Sequence, residues 1–133
     1  MPPRSRERGS TALELAIIAP VLILLIFVTI QAALFFYGRS VALSAAREGV
    51  SQLRLAQDPG AYQAMRGQVM VSTERYASQV GGQALRQPSA SSTYDDGAGK
   101  VHVKVKGKVI SLVPWDWSIS QEASGTVERF RTP

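Results

Sequence analysis

The sequence predicts an α+β protein: a long N-terminal transmembrane helix that continues into a stem helix, a second helix, and a small C-terminal antiparallel β-hairpin or sheet. Three observations predict it. Residues 15–37 form one apolar run, two later stretches have helical periodicity, and valines alternate with polar residues near the C-terminus. The average over 133 residues, 45% apolar with a net charge of +5, conceals this division. A uniform soluble domain is excluded, because 20 of the 23 residues in the run are apolar.

The apolar run is long enough to cross a bilayer. Its 23 residues would extend about 34 Å as a helix, against a hydrocarbon core of about 30 Å. Thr29 and Gln31 are its only hydrophilic side chains, so it lacks the polar face of a helix on a globular core. Pro20 predicts a kink one turn inside, because proline donates no backbone hydrogen bond. We therefore expect one membrane span over about residues 15–37.

The basic residues beside the span predict its orientation. Arg4, Arg6 and Arg8 are crowded against its N-terminal end, whereas the arginines beyond it are more dispersed. This bias favours a cytoplasmic N-terminus and an extracytoplasmic remainder. A cleaved secretory signal peptide, with residues 42–46 (ALSAA) as the cleavage site, is the competing interpretation. The apolar core of such a peptide is about 7–15 residues long, so this longer run favours a retained anchor.

A carboxylate at the start of the apolar run needs an explanation. Glu14 would cost about 2.5–3.5 kcal/mol near a bilayer centre and less at the interface. One interpretation is a capping box, with Thr11 as the N-cap and Glu14 three residues later. The other starts from the neighbouring residues: a basic leader ends at Gly9, Ser10 follows, and Glu14 is the fifth residue after the glycine.

This arrangement resembles the signal of type IV prepilins, in which a membrane peptidase cleaves after the glycine and a glutamate is fifth in the mature chain. Glu-Leu-Ala from Glu14, then Pro20, then AAREG at 45–49 narrow the resemblance to the TadE/TadG-like pilus assembly proteins. These are the small pilin-like proteins of tight-adherence (Tad) pilus systems. The resemblance covers residues 6–50. Leu15 departs from the aromatic residue that commonly follows the glutamate.

The resemblance implies a minor pilin-like (pseudopilin) component of a bacterial Tad-type pilus assembly or secretion system. Cleavage after Gly9 would leave Ser10 as the N-terminus, and Glu14 would pair with the Ser10 amine of a neighbouring subunit. The implied partners are other pilin-like subunits, the Tad machinery, a prepilin peptidase and the lipid bilayer. The implied location is the bacterial inner membrane, single-pass, or the cell surface after assembly. The expected organisation is a leader (1–9), the transmembrane and stem helix (10–57), and a small exported α+β domain (58–133).

The helical pattern continues beyond the span. Small and apolar residues recur at steps of three and four: Ala42, Ala46, Gly49, Val50 and Leu53. This stripe predicts a stem helix that packs on its own domain, and a surface for neighbouring subunits is the alternative. Turn residues at 58–60 end this helix. A second helix is predicted from Ala61 to Val80, with one buried face formed by Tyr62, Met65, Val69, Tyr76 and Val80.

The C-terminal region predicts a loop and then a hairpin. Residues 83–99 are rich in Gly, Ser, Gln and Asp, which predicts a loop, and Asp95-Asp96-Gly97 lacks the ligand spacing of an EF-hand calcium site. From Lys100 to Ile110, valines alternate with His or Lys, so valines should face the core, with a bulge expected at Gly107. Residues 119–130 would return as the antiparallel partner.

The lysines and tryptophans of this hairpin allow several interpretations. Lysines along a strand favour an exposed edge, because they protect it from aggregation. A footprint for nucleic acid or anionic lipid is the alternative, and export excludes nucleic acid as a partner. Trp115 and Trp117 would share one side of an extended segment. They would cap the core, lie at the membrane interface or form a binding patch.

Catalytic motifs are absent from the sequence. It has no cysteine, a single histidine at His102, and no glycine-rich phosphate-binding loop. We therefore expect no enzymatic activity, no catalytic residue, no cofactor, no metal site and no small-molecule substrate. The alternative function is an uncleaved single-pass membrane anchor that presents an extracytoplasmic binding domain.

Overall fold

The computed structural model contains two helices followed by a three-stranded antiparallel sheet, which confirms the predicted α+β class. It describes residues 4–112, 114–115 and 117–127, with side chains from residue 9 onward. The elements are α1 (Arg4–Leu53), α2 (Pro59–Gly81), a 3₁₀ turn (Gly82–Ala84), β1 (Arg86–Asp95), β2 (Lys100–Val109) and β3 (Trp117–Thr126). The strand order is β1-β2-β3. The chain forms two compact units, one up to Ala33 and one from Leu34 onward.

Small residues of α1 pack against valines of β2 in the core of the second unit. The predicted stripe from Ala42 to Leu53 is buried, and Val101, Val103 and Val105 are fully buried as well. A Cβ atom on Gly49 would lie 3.1 Å from Val103 Cγ1. A larger residue at this position would therefore require the helix or the strand to shift. The stem part of α1 packs on its own domain, as predicted.

Helix α2 begins at a capped aspartate. The Asp58 side chain accepts a 2.7 Å hydrogen bond from the Ala61 backbone N–H. Pro59 occupies the first helical turn, where its missing N–H removes no helical hydrogen bond. The helix ends before Gly82, whose φ of +52° suits glycine. The predicted helix from Ala61 to Val80 is therefore confirmed, with ends one or two residues further out.

The buried face of α2 differs from the prediction in its C-terminal half. Tyr62 and Val69 are buried as predicted, but Tyr76 and Val80 are 37% and 42% exposed. The buried positions there belong to smaller residues: Thr73, Ala77 and Gly81. A Cβ atom on Gly81 would already lie 2.7 Å from Leu85 Cβ. Because this end of the helix packs so closely, the larger side chains turn outward.

The predicted loop over 83–99 is wrong, because most of it forms strand β1. Residues alternate in burial along the strand, with Ser92 buried and Tyr94 partly buried on the helix side. The Ser92 hydroxyl lies 2.7 Å from the Tyr62 hydroxyl, so its burial leaves no unsatisfied group. The Ala90 N–H donates to Glu74 Oε1 of α2 at 3.0 Å. Small polar residues with weak strand preference hide this period of two in the sequence.

Strand β2 is confirmed with its valines inward, but the predicted edge position is wrong. It is the central strand, antiparallel to β1 on one side and to β3 on the other. Its lysines occupy the outer face of the sheet. A central strand with one solvated face has the same alternation as an edge strand. Strand β3 confirms the predicted antiparallel return over 119–126, and residues 128–130 of that prediction lie outside the described residues.

A bulge in β1 lies opposite Gly107. Arg86 pairs with Lys108 and Ser89 pairs with Lys106, so β1 has three residue steps where β2 has two. The extra length includes Gln87, which has a left-handed φ of +49°. A Cβ atom on Gly107 would collide with the side chain of buried Leu85. The expected bulge is therefore present, but the additional residue belongs to β1, and the glycine serves a close approach.

Gly38 offers a direct test of how closely the second unit is packed. A Cβ atom there would collide with the backbone carbonyl of Ala84 and lie 2.9 Å from Ile119 Cδ1. Since a carbonyl cannot rotate away, Gly38→Ala should lower the free energy of unfolding by about 1–3 kcal/mol. The measurement is a urea titration in detergent micelles, followed by tryptophan fluorescence.

The matched control is Gly67→Ala in α2, where a Cβ atom would meet nothing within 4 Å. This variant should unfold at the same urea concentration or be stabilised by about 0.5–1 kcal/mol, because alanine favours helix. Equal stability of the two variants would contradict the close approach at Gly38.

Candidate processing and assembly segment

The three predicted site residues, Gly9, Ser10 and Glu14, all lie in helix α1 and are exposed. Because α1 begins at Arg4, Thr11 lies inside the helix and is not its N-cap. The capping-box interpretation of Glu14 is therefore wrong, since the helix continues N-terminal to the proposed cap. Beyond its own helix, nothing lies within 4 Å of a Cβ atom built on Gly9. Among the described residues, the space beside the Gly9 Cα atom is thus open.

Ser10 and Glu14 share one face of the helix. A separation of four residues places them about 6 Å apart along the axis. The neighbours of Glu14 on either side, Leu13 and Leu15, are 65% and 64% exposed. The carboxylate therefore stands where a polar N-terminal segment changes into an apolar helix. At such a boundary it can accept hydrogen bonds from a cation, and pairing is favoured because solvation is incomplete.

Most of the apolar surface of α1 within the predicted span is exposed. Apart from Leu34 and Phe35, the large apolar side chains from Leu13 to Tyr37 are between 44% and 65% exposed. Within the described ranges, α1 is the one helix long and apolar enough to cross a membrane. Pro20 lies inside it without ending it. Its length and hydropathy are consistent with a membrane anchor.

Thr29 and Gln31 are the two hydrophilic side chains of the predicted span. Thr29 Oγ1 donates a 2.8 Å hydrogen bond to the Leu25 carbonyl one turn earlier. Gln31 is only 8% exposed. A hydroxyl satisfied within its own helix is compatible with hydrocarbon surroundings, where an unpaired polar group is costly.

The candidate residues of the C-terminal hairpin, Trp115, Trp117 and His102, each have different neighbours. Trp117 packs edge-on against Phe35, with ring centroids 5.8 Å apart, whereas Trp115 is 66% exposed. His102 Nδ1 lies 3.3 Å from Glu122 Oε1 on the outer face of the sheet. Across the described ranges, no group of three or more His, Cys, Asp or Glu side chains is placed to hold a metal ion.

Two long-range hydrogen bonds and one cross-strand pair of cations were not predicted from the sequence. The Tyr37 hydroxyl donates to the Val80 carbonyl at 2.8 Å, and Arg54 Nε donates to the Thr126 carbonyl at 2.7 Å. No local sequence signal announces these long-range bonds. The third is a cross-strand pair of cations, Arg86 opposite Lys108. The sequence does not predict this pair as long as Arg86 is assigned to the loop 83–99. A strand prediction for Arg86 with the correct register would place it opposite Lys108.

Membrane spanning by α1 can be tested with paired substitutions. Leu24→Arg combined with Val28→Arg should cost about 5–7 kcal/mol of insertion free energy, twice the cost of one arginine at a span centre. We expect most of the chain to be released from membranes by alkaline carbonate extraction.

The control is Leu55→Arg combined with Val71→Arg. These residues are 61% and 55% exposed, close to the 63% and 57% of Leu24 and Val28, but they lie outside the apolar run. The control should stay in the membrane pellet. Equal retention of the two double variants would exclude a span centred on residues 24–28.

Residues 9–51 match the model of the TadE-like protein family. The match begins at the predicted cleavage glycine, includes the span, and ends two residues before α1 does. It covers 43 of the 133 residues, so α2 and the sheet lie outside it. No curated protein and no solved structure matches the chain. The predicted resemblance to TadE-like proteins is thus confirmed for the N-terminal third of the chain.

Proposed function

We propose that this protein is a minor pilin-like component of a bacterial Tad-type pilus assembly or secretion system. The observation that carries the proposal is the TadE-like match, which begins at Gly9 and includes Glu14. The exposed apolar surface of α1 supports it, because such a surface can pack against lipid or against the same helix of other subunits. The role is structural, and its partners are pilin-like subunits, the Tad machinery and a prepilin peptidase.

Cleavage after Gly9 would be the first step. Hydrolysis of the Gly9–Ser10 peptide bond consumes one water, and it leaves a carboxylate on the glycine and an amine on the serine. The open surroundings of Gly9 favour access by a membrane peptidase. The departing leader carries three arginines and one glutamate, so the net charge falls from +5 to +3. Removal of these arginines also removes the charges that hold the N-terminus in the cytoplasm.

Glu14 would then direct assembly. A carboxylate at the edge of the hydrocarbon is poorly solvated, and the Ser10 ammonium of a neighbouring subunit offsets that cost. Ser10 and Glu14 are about 6 Å apart along the axis. A parallel neighbour displaced by this distance would bring its own Ser10 level with Glu14. Pairing therefore favours a staggered arrangement of helices, with the apolar surfaces in lateral contact.

The topology and organisation follow from the same proposal. Arg4, Arg6 and Arg8 favour a cytoplasmic N-terminus in the bacterial inner membrane, with the domain beyond the span outside it. Residues 1–9 form the leader, 10–57 the transmembrane and stem helix, and 58–133 the exported α+β domain. Assembly would then carry that domain to the cell surface.

Cleavage is tested by Gly9→Leu. In cells that contain the peptidase, N-terminal sequencing of the wild-type protein should begin at Ser10, and the variant should keep the leader of about nine residues, because a side chain blocks the position that the peptidase recognises. Gly67→Leu is the control, since Gly67 also has open surroundings, and it should be processed normally. A wild-type protein that begins at Met1 or Pro2 would favour the alternative, an uncleaved anchor presenting a binding domain.

The assembly role is tested by Glu14→Ala and Glu14→Gln. Both variants should remain in the membrane, but surface pili should fall at least about tenfold, because losing a hydrogen-bonded charge costs about 1.5–3 kcal/mol. Glu48→Ala is the control, since Glu48 is an exposed carboxylate of the same helix outside the span. Normal pilus output from the Glu14 variants would show that the pairing is not needed.

A further inference from the structure

Strand β3 runs beside α1 in the same direction. Trp117, at its start, packs on Phe35, and Thr126, at its end, accepts a hydrogen bond from Arg54. Nine strand residues extend about 30 Å, and the nineteen helical residues between these contacts extend about 28 Å. The sheet therefore has one end level with Phe35. Its other end is about 30 Å further along α1.

The end of the sheet near Phe35 is where the apolar run stops. Phe35, Phe36 and Tyr37 are its last residues, and Arg39 is the first charged residue after it. Aromatic residues followed by a cation are typical of a membrane–water interface. If α1 spans a bilayer, this end of the sheet lies next to the bilayer surface. We call it the proximal end, and it comprises Arg86, Lys106, Lys108 and the described residues 110–112 and 114–115.

Charge is distributed unevenly along the outer face of the sheet. Away from the proximal end, Lys100 is opposite Asp95, and Lys104 is opposite Glu122. At the proximal end, Lys106 faces only serines, and Lys108 is directly opposite Arg86. Like charges in this position repel each other.

The cations of the proximal end lack a described counter-charge. Within residues 9–112, 114–115 and 117–127, no carboxylate lies within 4.0 Å of the Arg86 or Lys108 side chain. An arrangement of this kind favours a ligand that brings negative charge.

Exposed apolar residues stand beside these cations. In the loop between β2 and β3, Leu112 is 48% exposed and Trp115 is 66% exposed. Trp115 and Pro114 line one cleft together with Arg86 and Lys108. Tryptophan beside cations fits the boundary between lipid headgroups and acyl chains, because that boundary offers apolar and anionic partners at one depth.

We propose that the proximal end binds the bilayer that holds α1, with Trp115 and Leu112 at the headgroup boundary and Arg86, Lys106 and Lys108 on anionic phospholipid headgroups. The inference rests on the proposed function in one respect, that α1 spans a membrane. It assigns a role to the sheet, which lies outside the TadE-like match. The domain is then held on the membrane surface until assembly withdraws it.

Depth-dependent quenching of tryptophan fluorescence tests the apolar part. The chain contains two tryptophans, so Trp117→Phe leaves Trp115 alone. The full chain is reconstituted in vesicles of phosphatidylcholine and phosphatidylglycerol that contain lipids brominated near the headgroup or near the chain end. Trp115 should be quenched strongly, and more by bromine near the headgroup.

A tryptophan at the far end of the domain is the control. Leu55 is 61% exposed, so Leu55→Trp in a chain with Trp115→Phe and Trp117→Phe has a similarly exposed tryptophan. It should not be quenched. Equal quenching of both positions, or none at Trp115, would overturn the proposal while carbonate extraction still retains the chain. Release of the chain by carbonate would instead refute the span, and this inference with it.

Removal of the cations tests the electrostatic part. Arg86→Gln combined with Lys108→Gln should reduce the ratio of lipid-bound to free Trp115 about fivefold for each charge, and only in vesicles with phosphatidylglycerol. Lys100→Gln combined with Lys104→Gln removes two cations at the other end and should change nothing. If Trp115 were instead shielded from acrylamide in proportion to protein concentration, the surface would bind a second copy, and the proposal would be wrong.

Discussion

The close approach of α1 to strand β2 is the contact on which the domain depends. Gly49 and the alanines of the same stripe let the helix backbone lie against Val101, Val103 and Val105. A domain this small, in a chain without cysteine for a disulfide, has little apolar surface to bury. The stem part of α1 supplies much of what is buried. The remaining elements arrange themselves around that contact: α2 antiparallel to the stem, and β1 and β3 on either side of β2.

Periodicity in the sequence was sufficient to predict a helix or strand wherever that segment buries one continuous face. The apolar run, the stripe from Ala42 to Leu53 and the valines of β2 all have patterns that a bilayer or a core imposes directly. The processing and assembly residues could also be proposed from the sequence, through its resemblance to prepilin signals, because the separation of Gly9 and Glu14 along the chain needs no knowledge of the fold. Neither prediction needed knowledge of long-range contacts.

Contacts between distant segments decided the features that periodicity missed. Strand β1 consists mostly of small polar residues, and it is a strand because β2 pairs with it and α2 covers it through Tyr62 and Glu74. The central place of β2 follows from that same pairing. Tyr76 turns outward because the packing beside Gly81 admits only small residues. Thr11 appeared to be a cap because the helix N-terminal to it has no apolar periodicity.

Burial of the ALSAA segment has a consequence for how the protein can leave the membrane. Val41, Ala42, Ala45 and Ala46 are core residues, each at most 4% exposed. A protease that cut there would remove part of the hydrophobic core together with the anchor. The domain cannot be shed intact as a soluble fragment at that site, because one covalent segment is both its tether and its interior. If α1 is the proposed membrane anchor, release of the intact domain from lipid requires the whole helix to move, as extraction into a filament would do.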